Sequence, residues 1–483
     1  MFLCGHTKVN ERLLVSILAT VLSVCFAASG CKPQVPEQEP QNSEVKTNPK
    51  PLSVLVINDE EFAERLERLW NAQSESKIRT EVVSEDDFSS DWNQISNYDV
   101  AVYPSQYLGE LASRDLLLKI NPRLLEDDNY GAADIMPHDR EKLTVWGRDT
   151  VAVSLGHRPW VLMIREDIFE AAGLETPETW EQYSEVCQRL ESPPELPEID
   201  AENWTPTTEP TATDWLDDLL FARSGSYISH RGSFCPLFDL RKGIPLVNNP
   251  AYAKGLQELV RHQYSEILGD RLSPESGWER LSKGQCAMAI GWPAPEVADA
   301  ASNAVIRVAP LPGSTSVFIS TSDAWRERSD EESIHIPYYG QPGRLISVTE
   351  ASRRSGSSWG LVSWLSQKKN QQQICSTLSS AFPTRYSLLS QSDQWLGSEL
   401  STQSVQDLTA VVRAYQDEFV IMTPPRISGS AELLRPVENA VLDAKAGKTP
   451  AEALSGVQKA WTTQLESRGE DGFIRELELS LGL

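Results

Sequence analysis

Histidine and methionine are scarce in this chain of 483 residues, with six and five copies, and cysteine numbers only seven. The histidines are scattered and no HExxH segment occurs, so a metal site has no local signature and none is expected. No CxxC pair occurs either. Basic residues are outnumbered by acidic ones, 44 to 69, for a net charge of −25. A surface of that sign repels phosphate backbones, which argues against a nucleic-acid partner. A bilayer-spanning run is missing too. The one long uncharged stretch, residues 13–28, is 16 residues, about 24 Å of helix and short of the ~20 residues a span needs. No internal repeat of useful length is visible.

What is present begins at the N-terminus. Lys8 and Arg12 precede the apolar run, and Ala28, Ser29 and Gly30 close it ahead of Cys31. A basic start, a short apolar core and a small-residue exit read as a secretory signal over residues 1–30, the alternative being an uncleaved anchor. A Cys directly after the small residues resembles a bacterial lipobox, although Ala28 stands where that motif usually has Leu. The resemblance implies cleavage before Cys31 and acylation of its thiol, hence an exported lipoprotein, periplasmic or on the cell surface. Residues 31–51 hold five prolines and no aromatic, too little to build a core, and read as a tether of roughly 60 Å. Without the signal the balance is 42 basic against 68 acidic residues. Cys187, Cys235, Cys286 and Cys375 remain in the body; disulfides are possible in an exported chain, but mostly buried free thiols are expected.

The body opens with a strand over 52–57 and a helix over 60–73, in which Phe62, Leu66, Leu69 and Trp70 share a face. Strands follow at 78–83 and 98–103, then a helix over 108–118. Strands alternating with helices predict parallel βαβ units, with ligands beyond the strands' C-terminal ends. A second strand system is expected from 150 to 164. A helix over 167–172 ends at Gly173 and another over 180–190 is capped by Thr179. Residues 192–210 read as a surface loop and Asp217–Asp218 as a solvated helix face. Further strands are expected at 286–290, 305–309 and 345–348, with a mostly helical final third.

Six stretches in this order, YDVAVYPSQYLGELASRDLLLKIN (98–121), VAVSLGHRPWVLMIREDIFEAAGLETPETWEQY (151–183), LSKGQCAMAIGWP (281–293), VAPLPG (308–313), GRLISVTEAS (343–352) and AKAGKTPAEAL (444–454), together resemble a family 1 extracellular solute-binding protein, the group that includes maltose-binding protein. The resemblance covers nearly all of 52–470. It implies an α/β, two-lobed periplasmic-binding-protein fold of type II, maltose-binding-protein-like, with discontinuous lobes and a hinge. Lobe 1 is then 52–153 with 311–380, and lobe 2 is 154–310 with 381–483. Crossovers are expected near 151–155, 310–313 and 381–386. It also implies a receptor without catalysis or cofactor, a monomer that captures a small solute for ABC permease subunits and touches the membrane only through its lipid.

Carried over residue by residue, the family pattern implies ligand contacts from Asn58, Asp59 and Glu60 after the first strand, with helix capping as the alternative role of Asp59. Tyr103, Gln106 and Tyr107 follow the third strand. Trp292 follows AMAIG and would offer a flat face and an N–H, although the commonest pattern places an aromatic where this chain has Ala294. Tyr338, Tyr339 and Gly340 precede a later strand. Arg158 is a candidate donor, and Arg385 either a contact or a structural residue. Fourteen tryptophans suit a carbohydrate cleft, though Trp70, Trp160, Trp180, Trp359 and Trp461 read as core. Amino acids, polyamines and oligopeptides stay open as ligands. Two other function classes compete. A secreted carbohydrate-active enzyme would need paired carboxylates, and the G-x-S-x-G at 356–360 lacks a preceding strand. A surface sensor or adhesin could reuse the same fold.

Overall fold

The computed structural model describes residues 50–483 apart from 263, 265–270, 295–303, 342, 379–381 and 397–399. The signal segment, Cys31 and nearly all of the tether therefore lie outside the described residues. Two open sheets organise the body. The strands are β1 (Leu52–Ile57), β2 (Ile78–Val83), β3 (Val100–Pro104), β4 (Val153–Gly156), β5 (Val161–Arg165), β6 (Thr205–Thr208), β7 (Cys286–Gly291), β8 (Ile306–Ala309) and β9 (Arg344–Val348). The first sheet runs β2-β1-β3-β9-β4 and the second β8-β5-β7-β6. β1 is parallel to β2 and β3, whereas β9 lies antiparallel to β3 and β4. β3, β4, β5, β7 and β9 are buried along their whole length. Strands covered on both faces read as continuous apolar runs, which is why CAMAIG and VLMIR were visible in the sequence.

Around them pack α1 (Glu60–Gln73), α2 (Leu108–Ser113), α3 (Trp180–Arg189), α4 (Leu216–Ile228), α5 (Pro250–Arg261), α6 (Ser355–Ser366), α7 (Thr402–Asp417), α8 (Ser430–Lys445), α9 (Pro450–Arg468) and α10 (Glu470–Ser480). Thr179 and Gln182 form a capping box on α3, and Thr449 and Glu452 another on α9; each bonds the other's otherwise orphaned backbone N–H. Gly447-Lys448-Thr449, which imitates the end of a phosphate loop but has Leu442 where the first glycine belongs, is thus a helix start. Ser358 of the G-x-S-x-G lies buried inside α6 and donates to the Arg354 carbonyl at 3.2 Å, so no elbow forms. Cys187, Cys235, Cys286 and Cys375 are buried free thiols. No helix among the described residues is long and apolar enough to cross a membrane.

Three expectations need correction. Residues 205–208 are a buried strand at the edge of the second sheet, not loop; threonine suits a strand, and Pro206 is tolerated on an edge. Asp217 and Asp218 are buried, as is every other residue of α4. The segment expected to cross first, 151–155, overlaps β4 of the first sheet, so residues 157–160 carry the chain to the second. Gly313 stays with α3, its N–H donating to Glu178 and its carbonyl accepting from Trp180. The hairpin Ser316–Ile319/Ala324–Glu327 then packs on α4 and α5, and the chain reaches β9 of the first sheet only after residues 337–343.

Candidate functional site

A cavity of about 260 Å³ opens where these two linking segments meet the end of β3. Ser105 and Gln106 line it from the turn just after β3, His157 from the first link, and Tyr339, Gly340 and Gln341 from the second. His138, Lys142, Phe234, residues 419–421 and Arg426 complete much of the lining. Phe234 and Phe419 are 69% and 71% exposed, large apolar faces turned to solvent at its border.

The histidines form a directed chain. His157 Nε2 lies 2.6 Å from the Gly340 carbonyl, which only accepts, so that nitrogen carries the proton. His157 Nδ1 then accepts from His138 Nε2 at 3.3 Å. His138 Nδ1 is left as a buried acceptor with no partner. Gln106 Oε1 is a second buried polar atom without one. Tyr339 stacks on His138, ring centroids 3.9 Å apart, and its hydroxyl accepts from Gln416 Nε2 at 2.9 Å. Gln416 Oε1 in turn accepts from the His138 backbone N–H. Gly340 has no room for a side chain: a Cβ would sit 2.5 Å from Asp218 Oδ1 and 2.7 Å from Trp160 Nε1.

Of the expected contact residues, the cavity gathers Gln106, Tyr339 and Gly340. Asn58 adopts a left-handed φ of 54° and its Oδ1 accepts from the Glu85 N–H at 3.3 Å. Asp59 occupies the N-cap position of α1 without a capping bond, its carboxylate paired with Arg344 at 3.0 Å. Glu60 is exposed. Tyr103 is fully buried in the first sheet, its hydroxyl 2.7 Å from Ser347 Oγ, so it reaches no cleft. Tyr107 donates to Glu85 at 3.1 Å and lines a separate groove with Glu110, Arg114 and Arg435. Arg158 is 5% exposed and donates to the Pro293 carbonyl. Trp292 packs edge-on against Trp160 and Trp215, buried rather than presented. Tyr338 is buried with its hydroxyl donating to Asp218. Arg385 ties the Gly131, Tyr130 and Ser366 carbonyls together, the structural alternative. His138, His157, Phe234, Phe419 and Arg426 were missed. Only His157, at the head of a link, had a position that could have drawn notice.

The model of the bacterial extracellular solute-binding protein family matches residues 59–324. The chain belongs to that family. No curated protein sequence matches it. Among solved structures, the sugar-binding protein MalE of Xanthomonas citri is similar, with a TM-score of 0.62 at 14% identity over 87% of this chain and 98% of that one. A solute-binding protein of Agrobacterium radiobacter K84 in complex with ribitol reaches 0.60 at 19% identity, over 86% and 100%. Maltose-bound MalE3 of T. maritima gives 0.60 at 14%, over 86% and 100%. The fold is accordingly the two-lobed α/β arrangement of these proteins, and the chain is a solute-binding receptor.

The electrostatics of this binding protein's cavity are set by burial. It pulls His157 down to about 4 and His138 well below the ordinary value, so both are neutral at pH 7. Burial also lowers Arg426 to about 10. It raises Asp139 to about 7 against the hydrogen bond from Ser154 Oγ. A raised carboxyl favours the folded state below its unfolded pKa, near 3.8, and that contribution is lost as pH rises to about 7. Asp139→Asn, which keeps an acceptor for Ser154, is therefore expected to gain stability over the parent between pH 5 and pH 8, on the order of 2–4 kcal/mol. Urea unfolding at both pH values checks this; an equal difference at each would refute it.

Proposed function

We propose that this receptor captures a carbohydrate between its lobes and delivers it to an ABC-type permease, acting as a monomer anchored through Cys31 and catalysing nothing. The observation that carries the reading is the pair of buried polar atoms without partners, His138 Nδ1 and Gln106 Oε1, on the lining of a cavity bordered by exposed Phe234 and Phe419. Sugar hydroxyls donate to such acceptors, and the C–H face of a ring packs on an aromatic. Ribitol, a sugar alcohol, and maltose, each bound by a structural neighbour, support the same class. The hinge then includes residues 157–160, residues 337–343 and the third passage of the chain, between α6 on the first sheet and α7 on the second, so that closure moves one sheet against the other.

A thermal-shift screen over monosaccharides, oligosaccharides, polyols, amino acids and polyamines tests this. A ligand at a hundred times its Kd is expected to stabilise the protein by about 2.7 kcal/mol. Stabilisation by sugars or polyols is the expected outcome; a response confined to amino acids or polyamines, or none to any compound, would defeat the carbohydrate reading. Product formed from an oligosaccharide in the same samples would favour the enzyme instead.

A further inference from the structure

We infer that the cavity is built for an acidic saccharide, one carrying a carboxylate, sulfate or phosphate ester, rather than for a neutral sugar; this rests on the carbohydrate reading above. The lining comprises 23 residues. At the chain's frequency of 69 acidic residues in 483, such a set would carry about three. It carries no Asp or Glu side chain, whereas Lys142 and Arg426 both belong to it; a free carboxylate on Leu483, which also lines it, offsets one of these two charges.

The donor and acceptor balance points the same way. A neutral sugar presents many hydroxyl donors, and ionised carboxylates are the strongest acceptors a protein can offer them. This lining offers His138 Nδ1, Gln106 Oε1 and weaker groups instead. Positive charge is in surplus. The Arg426 guanidinium donates to the carbonyls of Leu143 at 2.6 Å, Lys142 at 2.7 Å and Ser480 at 3.1 Å. These carbonyls solvate the charge without neutralising it, and among the described residues no carboxylate side chain pairs with it. Lys142 is exposed and, among the described residues, makes no ion pair. A recess with a surplus of one sign of charge focuses its field on an arriving ligand of the other.

Two carboxyls adjoin the lining and oppose an anion when ionised. Asp139 lies near Tyr339, and Asp218 stands behind Gly340. Burial raises both, for Asp218 against the hydrogen bond donated by the Tyr338 hydroxyl, so their charge is reduced around neutral pH; neither side chain lines the cavity. The His138 side chain, 5% exposed with Nδ1 unpartnered, supplies an independent sign that a ligand completes the site. It would accept from a hydroxyl of the same sugar whose acidic group meets Lys142 and Arg426.

Titration calorimetry on the purified protein tests the inference with digalacturonate, a sulfated disaccharide, a sugar phosphate and the neutral counterpart of each. At least one acidic probe should bind about tenfold or more tightly than its neutral counterpart, a difference of about 1.4 kcal/mol; which one responds separates carboxylate from ester. Lys142→Gln, at an exposed position, should narrow that preference roughly fivefold, and added salt should narrow it as well. A neutral counterpart that binds as tightly, or a preference untouched by Lys142→Gln and by salt, would overturn the inference and leave the carbohydrate reading intact. Failure of every saccharide, charged or neutral, would remove both.

Discussion

Glu209→Ala is expected to cost this receptor about 3–5 kcal/mol of folding stability, the penalty for leaving one member of a buried ion pair alone. Glu209 follows β6 and Arg223 lies on α4; their side chains are 6% and 0% exposed, with Nη2 2.5 Å from Oε1. The Tyr183 hydroxyl donates to the same carboxylate oxygen at 2.8 Å. The guanidinium lies 4.1 Å from the centroid of the Trp180 ring and 5.6 Å from that of Tyr183. Its Nη1 meets His262 Nδ1 at 3.3 Å, and burial pulls His262 down to about 3, so that ring is a neutral acceptor and no substitute counterion. Without Glu209, the positive charge would keep aromatic rings, one imidazole and the Glu258 carboxylate, which already accepts from the Tyr227 hydroxyl. Glu209→Gln keeps an acceptor but not the charge, and its loss should be intermediate. Urea unfolding followed by tryptophan fluorescence measures both. A loss below about 1 kcal/mol for Glu209→Ala would mean that water or another acid reaches Arg223.

That pair also shows where the sequence could be read and where it could not. Strands covered on both faces, such as β1, β3 and β7, announce themselves as unbroken apolar runs. Helices α1 and α3 announce themselves by face periodicity and by the cap at Thr179. TPTT at β6 does neither, because its burial comes from lying beside β7 and under α3, partners far off in the chain. The same cause hid the acids of α4. Asp217 and Asp218 look like a solvated face until Tyr338 and the second link close over them. At the site, Gln106, Tyr339 and Gly340 were legible because family motifs lead directly into them. His138 and Arg426 were not. They come from segments without regular periodicity, and only the meeting of the two links with the 419–426 segment makes them neighbours. Tyr103 lies within the sheet, whereas the cavity is lined only by the residues just after β3, Ser105 and Gln106. Its hydroxyl meets Ser347 on the neighbouring strand β9 rather than the cavity.

Gly109→Ala is expected to weaken ligand binding about a hundredfold or more while leaving the lobes folded. Gly109 sits on α2, which follows β3 of the first sheet, and a Cβ there would lie 1.9 Å from the Arg426 carbonyl oxygen and 2.8 Å from the Ile427 Cα. Those are backbone atoms of the segment between α7, which packs on β8, and α8, so no rotamer change relieves the clash. The next residue fastens the same contact: Glu110 accepts from Ser428 Oγ at 3.0 Å and from the Gly429 N–H at 2.8 Å. An added methyl must push α2 off this segment and break both bonds. Neither lobe's own core is touched, and alanine favours the helix over glycine by about 1 kcal/mol, so the damage falls on the approach of the lobes. A hundredfold loss corresponds to about 2.7 kcal/mol, a reasonable sum for two charge-assisted hydrogen bonds and the packing between them. The variant should show a larger radius of gyration in solution scattering than the parent, with ligand present, and a similar urea midpoint. Gly356→Ala, at a helical glycine with nothing within 4 Å, is the control for glycine replacement as such. If Gly109→Ala binds like the parent, the close approach of α2 to residues 426–429 is no part of the liganded state, and the cavity must be completed by a different arrangement of the lobes.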